Sequence, residues 1–156
     1  MSKTFKGYIV SHQQQPRAEP GEGTLQCLFR IEKSEKAEQM VFGWASVADR
    51  AGGETVVDHQ EDIVEIGELE SAAYDFVRFY REGSEMHERG GLDIAVLIES
   101  MVFTPEKLGL LGIPQGTLPY GWWVGFKVLD DSVWEKVVDG TYRMFSIEGQ
   151  AVREKA

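Results

Sequence analysis

Few side chains in this 156-residue chain have the means to do covalent chemistry, and two stand out by their surroundings. Ser146 lies in YRMFSIEGQA (residues 142–151), a run carried by Tyr, Met, Phe and Ile directly after an Asp139-Gly140 turn. That pattern reads as a strand. His87 lies in GSEMHERGG (residues 83–91), between a stretch of helical periodicity and a glycine turn. A serine hydroxyl becomes a nucleophile when a base stands within hydrogen-bond reach, and imidazole, with an ordinary pKa of about 6.5, is the natural base at neutral pH. Blander readings compete. Most strand serines bond only to backbone, a histidine in a charged loop is commonly a plain surface residue, and Ser100 in IESMVF (98–103) is an equal candidate on composition. The residues alone leave open whether Ser146 is packed or poised.

Other chemistries are poorly served. The histidines (His12, His59, His87) and the single cysteine, Cys27, show no HxxxH or CxxC spacing, so no metal centre or other cofactor is expected. The cluster Asp58-His59-Gln60-Glu61-Asp62 lacks the alternating ligands and central glycine of a calcium loop, and reads as a solvated acidic turn. One cysteine excludes an internal disulfide framework and suits a reducing cytoplasm. The formal net charge of −10, with no Lys/Arg cluster, argues against a nucleic-acid partner. No apolar run approaches membrane-spanning length, and MSKTFKGYIVSHQQQPR has no signal-peptide core, so no membrane partner is expected.

The elements that must position these residues follow from periodicity. The chain reads as one domain, residues 1–156. Alternation marks strands at 24–33 and 40–48, where Gly43 suggests a bulge or a close backbone approach, then a long strand after Gly90-Gly91 and another over 122–130. In that last strand Trp122, Val124, Phe126 and Val128 share one face. Leu69, Ala72, Ala73, Phe76, Val77 and Tyr80 recur at helical spacing, with a stop expected near Arg81 because Gly83 follows. Thr104 and Pro105 predict the start of a short helix, and Asp131 the cap of another that buries Trp134, Val137 and Val138. With no βαβ rhythm and no glycine-rich phosphate loop, the expected class is α+β: an antiparallel β-barrel or sheet of about six or seven strands, one long helix and two short ones.

The runs FGWASVA, VVDHQEDIVE, ESAAYDFV, EMHE, ESMVFTPEK, LGIP, GWWVGFKV, VWEKV and YRMFSIEGQAVRE resemble, in matching order, the XkdF-like serine protease family of phages and prophages. The resemblance covers about residues 40–155 and leaves residues 1–39 poorly covered. That family is similar in turn to prohead maturation proteases, whose fold resembles the herpesvirus assemblin barrel. The resemblance implies His87 of EMHE as base and Ser146 of FSIEG as nucleophile. Two positions depart from the pattern: Glu148 and Glu61 each stand where glycine is common.

These implications set the expectations. The chain would be a prohead serine endopeptidase with capsid or scaffold proteins as substrates, working in the cytoplasm of the bacterial host within assembling proheads. Homo-oligomerisation stays open. The alternative is a non-catalytic or truncated capsid-assembly module of the same fold that binds scaffold or portal. In related proteases a third group, which orients the base, follows the serine by a few tens of residues. Only residues 147–156 follow Ser146 here, so Glu99 and the Asp58/His59 pair are the upstream candidates. Glu88 is disfavoured, because adjacent side chains in an extended segment diverge.

Overall fold

The computed structural model describes residues 5–11, 24–35, 38–57, 62–85 and 89–150, with side chains for residue 31 and for 38–57, 62–85 and 93–145. Among the described residues seven strands and three helices follow one another: β1 Phe5–Ser11, β2 Thr24–Glu35, β3 Met40–Asp49, α1 Ile66–Phe79, β4 Glu82–Glu85, β5 Arg89–Phe103, α2 Pro105–Leu110, β6 Tyr120–Val128, α3 Asp131–Val138 and β7 Tyr142–Gln150.

The core is set by β6. Alternation puts Trp122, Val124, Phe126 and Val128 on one face, all buried. Helix α1 lays Leu69, Ala72, Ala73 and Phe76 against that face. The Phe76 ring meets Trp122 edge-on with centroids 5.4 Å apart, and Phe126 at 6.5 Å. Phe126 in turn reaches Phe145 of β7 at 5.9 Å, so one aromatic chain joins the helix to the strand that carries Ser146. Burial of four such rings contributes on the order of 1.5–3 kcal/mol each before entropy is counted.

The expected antiparallel barrel or sheet of six or seven strands is corrected by the structure. The sheet on which the helices and the described core rest is an open, curled half-barrel of four antiparallel strands in the order β4-β5-β6-β3. From β3 the pairing passes to β2, then β7, then β1, and returns to β4 through three parallel pairs: Gly7 with Gly83, Tyr8 with Ser84, and Ile9 with Glu85. A closed antiparallel barrel is therefore not formed. The reason is parity: an odd number of strands cannot alternate direction all the way round, so one neighbour pair must run the same way.

Local signals mostly act as expected. Thr104 Oγ1 accepts from the Lys107 N–H at 3.2 Å, with Pro105 opening α2. The cap of α3 is Asp130 rather than Asp131, its Oδ1 accepting from the N–H groups of Ser132 and Val133. Val138 is half exposed while Val133 is buried, which rotates the expected stripe. An irregularity does fall at Gly43, where the β2 register shifts between Ile31 and Lys33 opposite Gly43 and Phe42, and a second lies between Trp44 and Ser46; Gly90 lies within β5, opposite Ser84.

The end of α1 is the most informative departure. Arg81, not a glycine, takes the left-handed conformation (φ 55°) that turns the chain out of the helix. Its carbonyl accepts from the Leu97 N–H at 2.9 Å, which fastens the turn to β5. Gly83 serves a different need, since a Cβ there would sit 2.8 Å from the Ala95 Cβ and 3.5 Å from the Phe126 ring. Gly83→Ala is thus expected to overpack the β4–β5 contact and destabilise by about 1–3 kcal/mol. Urea denaturation checks this, through a lower midpoint at an unchanged m-value.

Candidate functional site

Strand β7 is hydrogen-bonded on both sides, which makes it a rigid platform. Ser146 stands on it opposite Tyr8 of β1 and Leu28 of β2. Tyr8 stands in turn opposite Ser84 of β4. One rung therefore reads Leu28, Ser146, Tyr8, Ser84 across four strands. The side chain of Ser146 lies outside the described residues, as do His87, Asp58, His59 and Glu61. None of the three histidines is among the described residues, so no Ser/His pair is seen among them. In the chain, His87 comes two residues after the end of β4, which Ser84 and Glu85 close.

A polar cluster ties the same end of β4 to the start of β7. The Tyr142 hydroxyl donates to Glu85 Oε1 at 2.6 Å, and Lys136 of α3 donates to the same carboxylate oxygen. The Lys136 ammonium also reaches the Tyr142 hydroxyl at 3.4 Å. The hydrogen bond to Glu85, and then that to Tyr142, holds the Lys136 ammonium above the usual lysine range. Burial, and then the Glu85 carboxylate, pushes the Tyr142 phenol up. Sequence reading missed this cluster because its members are far apart in the chain and ordinary one by one. Its Glu85 is nonetheless the described acid nearest His87 in sequence on the upstream side.

The remaining candidates are dispersed. Glu99 is exposed and stands opposite Gly125 of β6, towards the far end of β5 from the β4–β5 connection. Ser100 accepts from the Trp122 indole N–H at 2.9 Å, an anchoring contact for the largest buried core ring. Ser84 was not singled out by sequence. It is only 4% exposed, and its hydroxyl has no hydrogen-bond partner among the described residues. On another face, Glu70, Tyr74 and Lys107 form a second cluster that pins α1 to α2, with Lys107 Nζ 2.6 Å from Glu70 Oε1. The hydrogen bond from Lys107 holds the Glu70 carboxyl below the usual range. Among the described residues no group of three or more His, Cys, Asp or Glu side chains is placed to hold a metal.

Residues 28–155 match the family described as putative phage serine protease XkdF. The chain belongs to this family. The match extends upstream of residue 40, where the sequence resemblance begins, and takes in most of β2. No curated protein and no solved structure matches the chain significantly. Within this XkdF family member no helix among the described residues is long and apolar enough to cross a membrane.

Two outcomes follow for the contacts described. Ser100→Ala should leave the Trp122 indole N–H without its acceptor and cost about 1 kcal/mol, the low end for an orphaned donor because water can reach the exposed Ser100 position. Thermal unfolding of the variant checks it. For Lys136 and Tyr142 the folded-state pKa values are raised, so their stabilisation is fully present at neutral pH and is lost as pH rises through those values, above about 10. Lys136→Met should therefore be less stable than wild type at pH 7, by about 1 kcal/mol or less given the partly exposed ammonium. That gap should narrow as pH is raised beyond the usual lysine range, as read by denaturation at neutral and at strongly alkaline pH.

Proposed function

We propose that this chain is a serine endopeptidase of capsid maturation, with Ser146 as nucleophile and His87 as general base. The observation that carries this reading is the family match, which spans both residues within one domain-length alignment. It is supported by the placement of Ser146 on a strand bonded on both sides, since a nucleophile is best held by a rigid element. The His87 imidazole takes the Ser146 hydroxyl proton as the oxygen attacks a peptide carbonyl carbon. Backbone N–H groups stabilise the resulting oxyanion. The C–N bond then breaks, the imidazolium gives its proton to the leaving amine, and an acyl-serine remains until water, deprotonated by the same imidazole, releases the acid. Scaffold and capsid-protein segments in an assembling prohead, within the host cytoplasm, are the proposed substrates. No cofactor enters these steps.

A second reading rests on Glu148. A carboxylate two residues from the nucleophile, where the family commonly has glycine, opposes a developing negative charge. A chain so placed would serve as a non-catalytic assembly module that binds scaffold or portal.

A fluorophosphonate probe separates the two. The protease reading expects a covalent adduct that peptide mapping locates at Ser146. An intact, unlabelled protein that still binds scaffold would favour the module. Ser146→Ala should abolish labelling and processing without loss of fold, whereas Ser100→Ala should retain both. His87→Ala should slow labelling by roughly 10²- to 10⁴-fold. The wild-type rate should rise with pH through about 6.5, the range in which an imidazole loses its proton. Full activity in His87→Ala, or a flat pH profile, would refute the assignment of the base.

A further inference from the structure

Strand β5 outlasts its neighbour on one side. It pairs with β6 over residues 95–103, whereas its described pairs with β4 end at Val96. One residue further on, the Leu97 N–H donates to the Arg81 carbonyl at the turn out of α1. Beyond that point, among the described residues, no strand lies on the side of β5 away from β6. Exposure agrees with this. Ile98, Glu99 and Ser100 are exposed in succession. Neighbouring residues of a strand point to opposite faces, so an unbroken exposed run means that both faces are open there. The backbone is open too. The Val102 carbonyl accepts from Lys107 Nζ at 3.1 Å, which places it on the edge away from β6. Peptide groups alternate in direction along a strand, so Ser100, two residues earlier, turns its N–H and C=O to that same edge.

We propose that residues 98–102 of β5 form a docking edge for an extended segment of a partner polypeptide that carries a lysine or arginine opposite Glu99. The backbone selects an extended chain, because another strand offers an acceptor and a donor at the spacing of the Ser100 N–H and C=O. Charge selects the cation. Glu99 is exposed, pairs with no described cation, and shares a face of β5 with Met101 and Phe103. A strand laid along the edge sets its alternate side chains beside these, a cation against the carboxylate and an apolar group against Met101. A second copy of this chain fits poorly. Pairing β5 with β5 would bring two Glu99 carboxylates to one seam, between molecules of formal net charge −10. The edge is short, bounded by the register break after Leu97 and by Lys107 at Val102, which suits a transient contact. None of this depends on the chemistry of Ser146.

The test uses the full-length protein and a synthetic heptapeptide that alternates threonine with valine, carries one central lysine, and is acetylated and amidated at its ends. Amide proton exchange, followed by NMR, reads the edge directly. In the free protein the Ser100 amide should exchange freely, and saturating peptide should slow it at least about fivefold. The Glu99 and Met101 amides, which face β6, should be protected throughout. A fully N-methylated form of the peptide keeps the charge but has no N–H to give, and should leave Ser100 unprotected. A glutamate in place of the lysine should weaken binding by roughly threefold to tenfold, and Glu99→Lys should reverse that preference. Four results would overturn the proposal: a Ser100 amide already protected in the free protein, no slowing by the lysine peptide, equal slowing by its N-methylated form, or a preference that Glu99→Lys leaves unchanged. Self-association of the wild type that protects Ser100 would instead make a second copy the occupant, and would overturn it as well.

Discussion

The rest of the structure depends on the wedging of one ring, Phe76, between Trp122 and Phe126. An antiparallel sheet with one apolar face must cover that face, and a single helix covers a flat sheet poorly. Curling β4, β5, β6 and β3 around α1 solves the problem, because it brings Trp122, Val124 and Phe126 to bear on Leu69, Ala73 and Phe76 from several directions. The curl has its own requirements. It needs breaks in register along β3 and β5, and close approach of β4 to β5 at Gly83 and Ala95. Once the sheet curls, β7 comes within reach of the core through Phe145, and Ser146 is carried along with it.

The polar contacts work at the margins of this apolar core. Glu85, Tyr142 and Lys136 join the end of β4 to α3 and the start of β7, across the place where the parallel pairing with β1 is only three residues long. Glu70, Tyr74 and Lys107 do the same for the two helices on the other side. Each cluster pairs a carboxylate with an ammonium and a phenol, so charge is balanced locally even though the chain as a whole is strongly acidic.

What could be read from the sequence is what depends on near neighbours. The spacing of Leu69, Ala72, Ala73 and Phe76 announces α1, and Thr104 before Pro105 announces α2, because helix signals act within a turn or two. Asp130 and Asp131 look alike as residues, and only the backbone angles choose the cap. The stop of α1 was expected from Gly83; a left-handed arginine performs it, leaving Gly83 to a sheet contact that no local pattern encodes. The order of strands is less legible still. Nothing in Phe5–Ser11 says that it pairs with β7 on one side and β4 on the other, and a count of strands does not reveal the parallel step that an odd number imposes. For the site, Ser146 and His87 stand out through motifs that resemble a family, not through periodicity. Ser84 is invisible at that level, because its burial is a property of its tertiary surroundings.

The rung through Ser146 also has a bearing on time. Its members are residues 8, 28, 84 and 146, so it joins segments from distant parts of the chain. A polypeptide emerging from the ribosome can assemble α1 on β3, β5 and β6 before β7 has been made, whereas pairing β1 with β7 closes one of the longest loops the chain allows and comes late. The rung at Ser146 is therefore complete only in molecules whose β7 has found β1, so this corner of the sheet is among the last parts of the fold to take shape.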